Sequence, residues 1–222
     1  MLGAFIQRYP GVAASLEIHN RTTLIDRLEC NEDDLYVFGS PLEREDVVTQ
    51  ALLPNPLVIF ARDDHPLAGA RQISFERIAE EPFLMREPGS GTRLLAAKLF
   101  EQRGLVPRIS MELSDDEAIK EAILAGLGVA IMSRFTLGLE HEPSRLVCLN
   151  VDGFPLENHW YFAYPVGKQL SATARAFMDF SRLEAKGLVM GGISAREINE
   201  ALPIEQAHRR GNFARTALAH AG

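Results

Sequence analysis

Apolar and polar positions recur with two different periods along this chain, and the two periods alternate. Val12, Ala14, Leu16 and Ile18 fall on every second residue, which predicts a half-buried strand. Asn20-Arg21-Thr22-Thr23 then offers a turn and a helix cap, and Leu24, Ile25 and Leu28 form one apolar helical face. Leu35-Tyr36-Val37-Phe38, bounded by Asp34 and Gly39, predicts a buried strand, and Leu57-Val58-Ile59-Phe60 repeats it after Pro54 and Pro56. The turn-rich stretch Asp63-Asp64-His65-Pro66-Leu67-Ala68-Gly69 marks a candidate hinge or domain boundary.

A second unit follows the same scheme. Phe83-Leu84-Met85 predicts a short strand, and Glu87-Pro88-Gly89-Ser90-Gly91-Thr92 a tight loop. A helix over Leu94 to Arg103 would turn Leu94, Leu95 and Leu99 inward and stop at Gly104. Ile109, Met111 and Leu113 alternate as a strand, and Ser114-Asp115-Asp116 caps a helix whose apolar face is Ile119, Ala122 and Ile123. Gly126 closes that helix, and Val129-Ala130-Ile131-Met132 is the next buried strand. Strands over Leu146 to Leu149 and Trp160 to Tyr164 lead into a helix through Ala172, Ala176, Phe177 and Phe180, with Leu183 continuing its face. Phe154, Trp160, Tyr161 and Phe162 are expected in the core rather than on a stacking platform. Alternating strands and helices imply an α/β fold with parallel-type sheets. From Gly187 onward the pattern fades into an appended tail with marginal helix.

Composition narrows the classes. The chain has 222 residues, 46% of them apolar and 24% charged, which suits one large or two small globular domains. It holds no apolar run long enough for a membrane span, and its start resembles no secretory signal, so a cytoplasmic protein is expected. The two cysteines, Cys30 and Cys148, form no CxxC pair and are expected as buried thiols of a reducing compartment. A net charge of −7 with no basic cluster beyond Arg209-Arg210 argues against DNA binding by these residues.

Neither metal nor catalytic chemistry is visible. The six histidines are scattered without HxxxH spacing, so no metal ligand set and no cofactor are expected. Gly126-Leu127-Gly128 precedes a strand rather than following one, the reverse of a dinucleotide fingerprint. Gly89-Ser90-Gly91 lacks the GxSxG frame of a hydrolase elbow, and no catalytic residue is assigned.

Four loops remain as binding candidates. Ser90, Gly91 and Thr92 sit where a strand ends and a helix begins, so backbone N–H groups and the helix dipole could face an anion, with Arg86 adding charge. An ordinary glycine turn with a Ser or Thr cap fits the same residues. Ser114 and Asp115 occupy a second helix start, with simple N-capping as the alternative. Ser133 closes a buried strand, and Asn20 and Thr22 bracket a turn that capping alone would explain.

Phe5-x-x-x-Tyr9-Pro10-Gly11-Val12, Asp64-His65-Pro66-Leu67, Arg86-Glu87-Pro88-Gly89-Ser90-Gly91-Thr92-Arg93 and Ala125-Gly126-Leu127-Gly128-Val129-Ala130 occur in that order. Together, over roughly residues 2 to 185, they resemble the effector-binding domain of LysR-type transcriptional regulators. Glu117-Ala118-Ile119-Lys120, Ser133-Arg134, Leu137-Gly138-Leu139-Glu140 and Asp152-Gly153-Phe154-Pro155 narrow the resemblance to the subgroup that controls RuBisCO (Calvin-cycle) operons. The resemblance implies a two-lobed fold like type 2 periplasmic binding proteins, with two crossover strands, at Leu57 to Arg62 and from Leu146 to Trp160. Subdomain I would comprise residues 1–62 and 150–185, subdomain II residues 63–149, and residues 186–222 a tail. A small effector, phosphorylated or otherwise anionic, would bind in the cleft, bordered by the four loops named above. Family members pair into dimers and tetramers and contact DNA through a helix-turn-helix that these residues lack. By the same resemblance, Met1 falls where the first domain helix should already be running, after a strand and a Ser/Thr-rich loop. A solute-binding protein of the same fold and a metabolic enzyme on a related scaffold are the competing classes.

Overall fold

The computed structural model describes residues 1–139 and 145–190. Two sheets divide the described chain into two lobes. The first contains β1 (Tyr36–Phe38), β8 (His159–Pro165) and β2 (Val47–Pro54), ordered β1-β8-β2 and antiparallel throughout. The second is built on β3 (Leu57–Arg62), flanked by β6 (Ala130–Ser133) and β7 (Leu146–Leu149), again antiparallel. β4 (Pro82–Arg86) and β5 (Arg108–Leu113) form a parallel pair that joins it through a bridge between Phe83 and Val129. The parallel expectation therefore holds for β4 and β5, whereas strands that cross or return between lobes run antiparallel.

Helices cover both lobes. In the first, α1 (Leu2–Arg8) packs on α6 (Ala172–Met190) through Phe5, whose ring lies 5.2 Å from Phe177 and 5.4 Å from Phe180. There α2 (Arg21–Glu29) buries Leu28 beside Tyr36, Phe38, Leu42 and Val47. In the second lobe, five of the six β3 residues are buried, because each face of the strand meets a separate core. Phe75 of α3 (Phe75–Ala79), Phe83 and Phe100 of α4 (Gly91–Gln102) fill one face. Ile119 and Ile123 of α5 (Asp116–Leu124) fill the other. The Asp63–Gly69 turns belong to this lobe, with Leu67 and Ala68 packed on its core.

The lobes are joined by two adjacent segments. Pro54 is paired with His159, the Asn55 N–H donates to the Asn158 carbonyl at 2.7 Å, and Leu57 and Leu156 exchange both backbone bonds. Asn158 is tied to the Gly39 carbonyl at 2.6 Å, and the Ser133 hydroxyl donates to Asn55 Oδ1 at 2.6 Å. Leu57–Arg62, named above as a crossover, has all its ladder partners in the second sheet.

Several local expectations are corrected. Residues 12–18 form no strand and pair with none among the described residues, leaving Leu16 70% and Ile18 86% exposed. Alternation shows that one face of a strand could be buried, and here no neighbouring strand supplies the ladder. Leu94 and Leu183 face solvent, and α4 instead buries Ala96 and Phe100. Trp160, Tyr161 and Phe154 are only half-buried, while Phe162 lies in the core. Both cysteines are exposed residues rather than buried ones, although desolvation around the sulfur pushes the Cys148 thiol up to about 11. Of the tail, α6 extends to Met190, and residues 191–222 lie outside the described residues.

Candidate functional site

The start of α2 carries a cation, Arg21, whose aliphatic stem lies beside Gly91 of the second lobe. Asn20 caps the helix by accepting the Thr23 N–H at 3.1 Å, which leaves Arg21 as the first helical residue. The Arg21 side chain folds back, and its Nη1 donates to the Ser40 carbonyl at 3.1 Å and to Ser40 Oγ at 2.9 Å. Nη2 donates to the Pro41 carbonyl at 3.0 Å, and the guanidinium lies 5.6 Å from the centre of the Phe38 ring. Burial lowers the Arg21 pKa from its ordinary value, the direction expected when a charge loses water without gaining a counterion.

The second lobe answers with the turn between β4 and α4. Gly89 has φ +93°, a left-handed conformation that glycine adopts at little cost. Ser90 occupies the N-cap position of α4, yet its side chain makes no capping bond. It is only 5% exposed, and its hydroxyl has no hydrogen-bond partner among the described residues.

These two turns meet. The Thr22 N–H donates to the Gly89 carbonyl at 3.2 Å, a direct bond between lobes. A side chain at position 89 would meet Thr22 Oγ1 at 2.8 Å, and Asn20 Nδ2 lies 3.5 Å from the same point. A β-carbon at Gly91 would lie 3.8 Å from Arg21 Cδ and 3.8 Å from Ser40 Oγ. Asn20, Thr22, Ser90 and Gly91 are thus brought into one cluster, with Thr92 following on the first turn of α4. Arg21 and Ser40 join them. Neither was among the sequence candidates: Arg21 looks like a surface residue of a capped turn, and its carbonyl partners lie 19 and 20 positions away.

The other candidates serve neighbouring structure. Arg86 donates to Glu87 at 2.9 Å, to Asp116 at 2.6 Å and to the Ser114 carbonyl at 3.2 Å. Burial alone would lower its pKa, but the Glu87 hydrogen bond and the Asp116 and Glu87 charges outweigh that and raise it. Asp115 caps α5 by accepting the Ala118 N–H at 2.8 Å. Ser133 accepts the Phe135 N–H at 3.2 Å and donates to Asn55 at the lobe junction. A separate open hollow of about 540 Å³, lined by Lys168, Ser171 and Arg175 among others, shares no residue with the interlobe cluster.

The LysR substrate binding domain profile matches residues 1–186. The chain belongs to that family. This LysR domain is 47% identical over 180 residues to the RuBisCO operon transcriptional regulator of Acidithiobacillus ferrooxidans, covering 81% of this chain and 58% of that protein. It is 45% identical over 180 residues to the transcriptional activator CmpR of Synechocystis, covering 81% and 59%. The LysR domain thus spans about three-fifths of the length of these regulators. Among solved structures, the Synechocystis CcmR regulatory domain in complex with 2-PG superposes with a TM-score of 0.79 at 44% identity, covering 83% of this chain and 89% of that one. The QuiR effector-binding domain in complex with shikimate, at 23% identity and a TM-score of 0.71, covers 84% and 90% and shares the fold. These likenesses show the type 2 periplasmic-binding-protein-like architecture, and the curated relatives are transcriptional regulators.

The two helix starts of the second lobe make opposite predictions. Asp115→Ala removes a formed cap bond and is expected to cost about 1 kcal/mol of stability in urea unfolding. Ser90→Ala removes none and is expected to leave the unfolding midpoint within error of the parent. A Ser90→Ala loss as large as that of Asp115→Ala would reduce Ser90 to a structural cap.

Proposed function

We propose that this LysR domain is the metabolite-sensing part of a transcription regulator, binding a small anionic, phosphorylated compound between its lobes. The observation that carries this reading is the meeting of the Asn20–Thr22 and Gly89–Gly91 turns, with Ser90 between the two glycines and its hydroxyl without a partner among the described residues. Among the described residues only Ser181 Oγ is a fully buried side-chain polar atom without a partner, so the Ser90 hydroxyl still reaches solvent and is open to a ligand or a water. The complex of the 44% identical CcmR domain with 2-PG supports the ligand class.

In this reading Ser90, Gly91, Thr92, Asn20 and Thr22 line the site, and Arg86, Ser114, Asp115 and Ser133 shape its border. The two bodies of this reading are residues 1–62 with 150–185, and residues 63–149, except that β3 (Leu57–Arg62) pairs within the second sheet and goes with the second body. The parent regulator works in the cytoplasm, pairs through this domain, and contacts DNA through a helix-turn-helix outside these residues. No enzymatic step is assigned. Calorimetric titration with 2-PG tests the reading: saturable heat and a rise in melting temperature are expected. Neither heat nor thermal shift with 2-PG, inorganic phosphate or related phosphorylated acids would count against it.

A further inference from the structure

We propose that Arg21 is the residue that reads the charge of the bound metabolite, so that the site selects acids bearing a phosphate or carboxylate over neutral analogues of the same size. This deepens the cleft reading above and rests on it.

The inference starts from how arginine charge is spent in this protein. Arg27, Arg44, Arg62, Arg86 and Arg93 are half-buried like Arg21, and each lies within 3 Å of a carboxylate oxygen. Among the described residues, Arg21 meets only two carbonyls, one hydroxyl and the face of Phe38. Such acceptors orient a guanidinium without neutralising it. They engage both terminal nitrogens and leave the Nε–H without an acceptor among the described residues, a donor that an oxyanion could take.

The surroundings supply further donors. Ser40 Oγ accepts from Arg21 and has its own proton left to give, and Ser40 is 5% exposed. Ser90, equally buried, has a hydroxyl that is wholly unused. Gly91 opens α4 against the Arg21 aliphatic stem, so the positive end of a 12-residue helix adds to the same field. Arg86, the more conspicuous arginine in the sequence, is neutralised by Glu87 and Asp116 and has little charge to offer.

The test compares wild type with Arg21→Gln, Arg21→Lys and Ser90→Ala by calorimetry, using 2-PG and inorganic phosphate as probes and melting temperature as a check on folding. Arg21→Gln is expected to weaken 2-PG about 30-fold. Arg21→Lys, which keeps charge but loses the Nε–H donor, should fall between Arg21→Gln and wild type. Equal affinities for Arg21→Gln and wild type, with Ser90→Ala weakened, would overturn the role of Arg21 and leave the cleft reading standing. Equal losses in Arg21→Gln and Arg21→Lys would also overturn it, since charge would then not be what is read. Wild type that binds neither 2-PG nor phosphate would overturn both.

Discussion

Gly128→Ala is expected to destabilise the domain by about 3–4 kcal/mol, lowering the melting temperature by roughly 6–12 °C. Gly128 has φ +155°, and a β-carbon there would stand 2.3 Å from the Pro82 carbonyl oxygen. That oxygen is backbone and cannot rotate away. It also accepts the Val129 N–H at 2.9 Å, and Leu84 donates to the Val129 carbonyl at 2.8 Å. These two bonds dock the β4–β5 pair onto the sheet built on β3. An added methyl therefore pushes apart the seam that holds α4 and its binding turn in place. Differential scanning calorimetry checks the prediction, and a loss under about 1 kcal/mol would show that the seam repacks easily.

Gly89→Ala should act mainly on ligand binding. Its positive φ alone costs about 1 kcal/mol of stability for a residue with a β-carbon. The larger consequence is positional, because the methyl would meet Thr22 Oγ1 at 2.8 Å and Thr22 Cβ at 3.3 Å. Thr22 must then rotate and give way, which strains the bond from the Thr22 N–H to the Gly89 carbonyl. Affinity for 2-PG is expected to fall at least about tenfold, the equivalent of roughly 1.4 kcal/mol. Adding Thr22→Ala removes the closer contact and should restore stability but not affinity, because Thr22 itself lines the proposed site. Unchanged affinity in Gly89→Ala would mean that the lobes need not meet at this point to hold a ligand.

Much of the second lobe was legible in the sequence for a physical reason. Strands β3 and β6 are covered on both faces, so they appear as short unbroken apolar runs, and α5 carries its core residues on one clean stripe. Segments that depend on distant partners were harder to place. Residues 12–18 alternate as well as any strand, but pairing requires a neighbour, and periodicity is silent about neighbours. β2 was not anticipated because Thr49-Gln50 and the irregular pairing between Ala51 and Leu53 interrupt its pattern. The helix-start turns were legible as sites through their glycines and hydroxyls. What separates Ser90 from Asp115 was not: both look like caps, and only the folded chain shows that one bond is made and the other is not. Arg21 was obscured for the same reason, since the lack of a counter-charge is a property of three-dimensional surroundings.

The paired segments at the lobe junction have a mechanical consequence. Pro54–Leu57 and Leu156–His159 form one continuous antiparallel ribbon, cross-tied by Asn55, Asn158 and Ser133. A two-stranded ribbon resists stretching and sliding, because either would break backbone hydrogen bonds, but it bends and twists at small cost. The ribbon therefore leaves the lobes free chiefly to turn against one another, by bending or twisting about it. In the proposed reading, a ligand gripped by the Asn20–Thr22 and Gly89–Gly91 turns would set how far the lobes turn, and that turn is a quantity that a second rigid body fixed to either lobe can measure.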